Sequence, residues 1–182
     1  MNKTDLSSYD NSWYKPGSRL KRGIWYIVNV AFFKSSFFPF YSLKVFLLRL
    51  FGARIGKGVL IKPNVNIKYP WFLTVGDHVW IGEKVWIDNL ALVTIGSNSC
   101  LSQGAMLISG NHNYTDIHFG LEVKPIILED GVWIGAAALV SGGAICRSHV
   151  VITAGSVCSG DTEPYSIYRG NPAVKIKDRV IK

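Results

Sequence analysis

From Ile55 onward the chain places an aliphatic residue or a cysteine at every sixth position. The series runs Ile55, Ile61 and Ile67; after a two-residue skip, Val75, Ile81 and Ile87; after another, Ile95, Leu101 and Leu107; and beyond a gap, Leu128, Ile134, Val140, Cys146, Ile152 and Cys158. Glycine follows several of these residues directly, at Gly56, Gly76, Gly82, Gly96 and Gly135. Four residues after most of them stands a small or β-branched side chain, among them Val59, Val65, Val79, Val85, Ala105, Val132, Ala138, Ala144 and Val150. Six is neither the period of a helix nor the alternation of an ordinary strand. It is the period of a chain that makes short strands joined by sharp corners, three strands to a coil, with one side chain pointing inward at each fixed place. The sequence therefore predicts a mainly β, parallel β-helix over residues 55–163. Its five coils, stacked at the usual strand spacing, make a prism about 24 Å tall.

Such a stack has two open ends, and an exposed sheet edge invites aggregation. The segments outside the repeat are the available covers: residues 1–54 as a helical N-terminal extension and residues 164–182 as a C-terminal tail. The extension is chemically distinct. Of the chain's formal net charge of +8, residues 1–54 carry +7, from nine Lys or Arg against Asp5 and Asp10. No carboxylate occurs between Asp10 and Asp77, and thirteen of the 23 aromatic residues lie in this first segment. Its longest uncharged run, Gly23 to Phe33, is too short for a spanning helix, which needs about 20 apolar residues. Covering the end of the β-helix and lying on an anionic membrane surface both suit this composition. Nucleic acid is not expected as a partner, because the basic residues are interleaved with Phe, Trp and Leu and no nucleic-acid motif accompanies them. Three cysteines without a Cys-x-x-Cys pair, and a polar, basic start with no secretory pattern, predict a reducing, cytoplasmic setting. Cys146 and Cys158 fall on inward positions and Cys100 just before one, so all three are read as packing residues rather than nucleophiles.

The repeat breaks once, over residues 108–127. A long excursion from a regular coil is a favoured place for functional side chains. It contains His112 and His118.

Val132-Trp-Ile-Gly-Ala136, followed by Ile152-Thr-Ala-Gly-Ser156 and Arg169-Gly-Asn-Pro-Ala173, resembles the hexapeptide-repeat acyltransferases. Leu50-Phe-Gly-Ala-Arg-Ile-Gly56 and Tyr69-Pro-Trp-Phe-Leu-Thr-Val-Gly-Asp77 are similar to the branch of colanic acid (exopolysaccharide) biosynthesis acetyltransferases. The resemblance implies a left-handed β-helix, a homotrimer with active sites between subunits, and an acetyl-CoA-dependent O-acetyltransferase acting on a saccharide. The acceptor would be lipid-linked or nucleotide-linked, and the enzyme would work in the cytoplasm, at the inner face of the membrane if the N-terminal segment docks there. It implies His112 as the catalytic base. Asp88 occupies a place where relatives carry a polar active-site group, often Asn, and would orient the acceptor or tune His112. Asn89 competes for that role and, with Asn111 and Tyr114, is a candidate acceptor contact. Gly135, Ala136, Ala154 and Gly155 match positions whose backbone meets the pantetheine arm, with Ser159 further on and Trp133 as a wall. Lys175 and Lys177 would face the coenzyme phosphates.

Two other readings compete. His78, His112 and His118 form a three-histidine set that could hold zinc as in β-helix carbonic anhydrases, although the acyltransferase-like C-terminal segment argues for no metal. A non-enzymatic β-helix serving as an assembly module would not need the His112 loop.

Overall fold

Corners decide how this chain coils. Three residues beyond an inward side chain the backbone enters the left-handed region, at Gly58, Asn64, His78, Lys84, Asn98, Gly104, Gly131, Ala137 and His149, with φ between 54° and 69°. Glycine and asparagine accept that conformation readily, whereas Lys84 and Ala137 hold it at a cost of about 1 kcal/mol each. Between corners the chain has room for only two or three extended residues. The computed structural model, which describes residues 3–182, forms five coils this way.

Two helices come first, α1 (Arg19–Val28), which runs into a single π turn, and α2 (Tyr41–Leu50). The first coil holds β1 (Arg54–Ile55), β2 (Leu60–Ile61) and β3 (Asn66–Ile67); the second, β4 (Leu73–Val75), β5 (Trp80–Ile81) and β6 (Trp86–Asp88); the third, β7 (Val93–Ile95), β8 (Cys100–Leu101) and β9 (Met106–Ile108). An antiparallel hairpin, β10 (Gly110–His112) with β11 (Leu121–Val123), then leaves the prism. The fourth coil follows as β12 (Ile126–Leu128), β13 (Trp133–Ile134) and β14 (Leu139–Ser141), and the fifth as β15 (Ile145–Cys146), β16 (Val151–Ile152) and β17 (Val157–Cys158). Finally β18 (Ser166–Gly170) adds a sixth rung to one face and turns back as β19 (Ala173–Asp178). The three parallel faces are β1-β4-β7-β12-β15, β2-β5-β8-β13-β16-β18 and β3-β6-β9-β14-β17.

All fifteen inward positions of the six-residue series are buried, Ile55 being the most exposed at 8%. The glycines that follow them keep the coils close. A Cβ on Gly135 would come within 2.5 Å of the Ala154 backbone nitrogen, and one on Gly82 within 2.8 Å of the Leu101 carbonyl oxygen.

The lower end is closed by side chains. Higher up, the carbonyl of an inward residue accepts a backbone N–H from the coil below, as Val75 does from Gly56 at 2.8 Å, Ile81 from Lys62 at 2.9 Å and Ile87 from Lys68 at 3.1 Å. The first coil has none beneath it, so the carbonyls of Ile55, Ile61 and Ile67 would be orphaned. Arg49 donates to Ile55 O from Nε at 3.1 Å and Nη2 at 2.7 Å, and the Trp25 indole donates to Ile67 O at 2.9 Å. Lys44, fully buried, reaches Ile61 O at 3.5 Å and Lys62 O at 3.0 Å. Each face thus receives one donor from the N-terminal extension.

The two extra residues in the early coils have a use as well. The first insertion forms a short turn, Pro70–Phe72, and the Trp71 indole donates to Pro16 O at 3.0 Å. Near the second, the Tyr14 hydroxyl donates to Leu90 O at 2.6 Å. The segment before α1 is pinned at these two points and runs along the prism toward the hairpin.

Candidate active site

Ser109 fixes the root of the hairpin. Fully buried, its hydroxyl donates to Asp88 O at 3.0 Å and accepts Ala91 N–H at 2.9 Å. Gly110 follows, its α-carbon facing the Leu90 side chain. His112 closes β10 opposite Leu121, and its ring stacks on Phe119 with centroids 4.4 Å apart and planes 9° from parallel. Its Nδ1 lies 3.0 Å from Phe119 O. A carbonyl oxygen only accepts, so Nδ1 carries the hydrogen in the neutral ring and Nε2 keeps its lone pair. The imidazole is therefore held in the tautomer a general base requires.

His112 lines a cavity of about 730 Å³ between the hairpin and the N-terminal segment. Tyr9, Tyr14, Lys15, Arg19, Arg22, Lys68 and Tyr69 form much of its wall. The Tyr9 ring lies 5.7 Å from the His112 ring. Burial pushes the Tyr14 phenol above its ordinary value, so it remains a hydroxyl donor at any working pH. None of these residues was expected from the repeat. The available signals were the two insertions, where the segment docks, and the charge imbalance of residues 1–54.

Several expected acceptor contacts lie elsewhere. Asn89 is fully buried, accepting Tyr69 N–H at 3.0 Å and donating to Tyr69 O at 2.6 Å, so it braces the backbone there. Asn111 alternates to the opposite side of β10 from His112, and Tyr114 stands 79% exposed at the hairpin tip. Neither lines the cavity. Asp88 makes no hydrogen bond to His112 among the described residues; the His112 Nδ1 is taken by Phe119 O. It forms a 3.0 Å ion pair with Lys68 and faces a smaller adjoining cavity of about 340 Å³ that shares Arg22, Lys68 and Tyr69 with the first.

A second cleft of about 730 Å³ runs along the β13–β16 face up to the terminal hairpin. Trp133, Gly135, Ala136, Ala154 and Lys177 line it, together with Gln103, Arg169 and Arg179. The Trp133 indole donates to Ser102 Oγ at 2.9 Å, which fixes that wall. Gly155 and Ser159 are not in the lining, Ser159 because it follows β17 on another face. Lys175 is also displaced. The ladder pairs Ile167 with Lys177 and Tyr168 with Lys175, so the extra residue Ile176 puts the two lysines on opposite faces of the hairpin. Lys175 is held by Glu163 at 2.6 Å and Asp178 at 2.9 Å. Arg169 shares the cleft side with Lys177 and makes no ion pair among the described residues.

The three-histidine metal set does not assemble within the chain. His78 is a corner residue folded over Gly58, His118 shares a 2.7 Å hydrogen bond with Ser8 Oγ, and His112 is tied to Phe119. Among the described residues no three His, Cys, Asp or Glu side chains converge on a point that could hold a metal. No described helix is long and apolar enough to cross a membrane. Burial raises the Cys100 thiol above its ordinary value, which leaves it a poor nucleophile. Cys146 and Cys158 are buried inside the prism.

Solved structures share this architecture. A hexapeptide-repeat acetyltransferase from Vibrio cholerae superposes with a TM-score of 0.80 at 22% identity, covering 87% of this chain and 90% of its own. A maltose O-acetyltransferase from Clostridium difficile superposes with a TM-score of 0.75 at 23% identity, covering 90% of each chain. These likenesses define the class by fold: a hexapeptide-repeat β-helix. No family model matches the chain. An Escherichia coli K12 protein that bears the name colanic acid biosynthesis acetyltransferase WcaF is 37% identical over 177 residues, 97% of each chain. The chain belongs to the WcaF-like family of hexapeptide-repeat acetyltransferases.

Proposed function

We propose that the protein transfers an acetyl group from acetyl-CoA directly to a sugar hydroxyl during the assembly of a bacterial exopolysaccharide or related glycan, with His112 as general base. The observation that carries this reading is the Nδ1 to Phe119 O bond, which leaves Nε2 lone-paired at the edge of a cavity large enough for a sugar. Nε2 takes the hydroxyl proton as the acceptor oxygen bonds to the thioester carbonyl carbon. When the carbon–sulfur bond breaks, the imidazolium returns that proton to the departing thiolate. Such a base contributes about 10²–10⁴-fold. Donor binding is assigned to the β13–β16 cleft. Its apolar wall suits a pantetheine arm, and Arg169 and Lys177 suit phosphates. The V. cholerae relative was also solved with acetyl coenzyme A. Acetyl transfer measured as coenzyme A release against a panel of sugar acceptors tests the reading, and acetyl-CoA turnover undiminished in His112→Ala would sink the base assignment.

The working unit in this proposal is a homotrimer. The hairpin leaves the prism between β9 and β12, at the corner facing away from the β13–β16 cleft, so base and donor site of one chain point in different directions. A neighbouring copy can bring its cleft to His112. The outward column of Leu60, Trp80, Cys100, Trp133 and Val151, with Trp80 59% exposed, is apolar enough to be covered. Membrane contact is proposed too. Leu20, Ile24 and Ile27 lie exposed along one face of α1, and Phe37 beyond it is 94% exposed. Replacing the three aliphatic residues by Ser should release the protein from anionic vesicles in co-sedimentation; unchanged pelleting would contradict contact through α1.

A further inference from the structure

The charge lining the His112 cavity is one-sided. Lys15, Arg19, Arg22 and Lys68 contribute to its wall, and no carboxylate does. Lys68 is neutralised by Asp88 and Lys15 donates to Ser12 O, but Arg19 and Arg22 have no carboxylate partner among the described residues. The Nε of Arg22 is buried and makes no hydrogen bond among the described residues, an expensive state for a charged donor. Both arginines stand in the first turn of α1, which contains no acidic residue, although cations are disfavoured beside the positive end of a helix dipole. Lys21, in the same turn, is occupied elsewhere, over the Trp71 ring at 4.3 Å. Two arginines that line a cavity beside a free base, without a carboxylate partner among the described residues and against the preference of their own helix, suit a bound anion.

Resting on the acetyl-transfer reading above, we infer that the acceptor is an anionic saccharide whose phosphate or pyrophosphate is bound by Arg19 and Arg22, while its reacting hydroxyl meets Nε2 of His112. Guanidinium forks match phosphate oxygens in bidentate pairs, and the N–H groups of the α1 first turn add to the same field. Two arginines without a carboxylate partner among the described residues, with Lys15 on the same wall, suit a pyrophosphate better than a single carboxylate. The N-terminal segment, not the β-helix, would then set acceptor specificity, since Tyr9, Tyr14, Lys15, Arg19 and Arg22 all precede the first coil.

Inorganic pyrophosphate is the first probe, titrated calorimetrically into the wild type and into Arg19→Gln, Arg22→Gln and the double variant. Wild-type binding weakened roughly tenfold or more in the double variant is expected from the loss of charged hydrogen bonds. Arg19 is exposed, so its variant should fold normally, and Arg22→Lys, which keeps the charge, should restore part of the binding. In turnover, pyrophosphate should compete with the acceptor, and the double variant should raise the acceptor KM while the acetyl-CoA KM holds. Sugars linked to a nucleoside diphosphate or a short prenyl diphosphate, a uronic acid-containing oligosaccharide and a neutral one form the acceptor arms. Preference for either diphosphate supports the site, and the pair that differs identifies the carrier. Equal use of the neutral sugar, preference for the uronate, or pyrophosphate competing only with acetyl-CoA would each overturn it. If no acceptor is acetylated the transfer reading fails, while the pyrophosphate titration still decides whether the anion site exists.

Discussion

His112 is defined by the bond its other nitrogen makes. Phe119 O holds Nδ1–H, so the lone pair on Nε2 would need no rearrangement before taking a proton in the proposed transfer. His112→Ala should lower kcat by about 10²-fold or more while leaving donor binding near wild type; a loss under tenfold in a direct assay would remove the histidine from that role. Lys44 presents the reverse case, a cation buried to serve two carbonyls. Burial holds its ammonium below the ordinary lysine value. The unfolded chain therefore binds the proton more readily across the window just below 10.5, and Lys44 makes the fold more stable as pH rises through that window. Lys44→Met should abolish this increment and leave Ile61 O and Lys62 O unsatisfied, at about 1–3 kcal/mol. Urea unfolding of both proteins at two alkaline pH values reads the difference, and parallel pH profiles would contradict it.

Among the elements, glycines of two kinds explain much of what the sequence could and could not reveal. Gly135 is small because the next coil's backbone crosses it, whereas Gly155 has φ +68° and open space around its α-carbon. Gly135→Ala should cost about 2–3 kcal/mol through overpacking, and Gly155→Ala only about 1–2 kcal/mol through its left-handed backbone; equal midpoint shifts in denaturant would refute the distinction. The six-residue period captured the first kind, because inward residue, close-packed glycine and small companion recur at fixed offsets. It made the coils, their register and the His112 excursion legible. It could not place Lys175, since one bulge at Ile176 reverses the parity of the hairpin. Nor could it find the wall of the His112 cavity. Tyr14 reaches Leu90 and Trp71 reaches Pro16 across more than fifty residues of chain, contacts that no local pattern encodes. Asn89 shows a related limit: it stands next to Asp88 in sequence, and its two hydrogen bonds to Tyr69 follow from no local pattern.

For the whole molecule, the proposed base and the proposed donor cleft, on different sides of one prism, predict complementation between damaged copies. His112→Ala mixed with a variant whose cleft is blocked, such as Ala136→Trp, should regain activity after denaturation and refolding together. Random assembly into a threefold ring gives an intact site at about a quarter of the interfaces. No recovery would mean that each chain works alone. The lower end of the prism has one further consequence. Its three orphaned carbonyls are chemically alike and nearly related by a third of a turn, yet they are met by a guanidinium, an ammonium and an indole that differ in reach and charge. A cap with identical donors could seat in any of three orientations. This one fits a single way, like a key with unequal teeth, and so the segment that precedes α1 emerges on the one flank where the histidine hairpin stands.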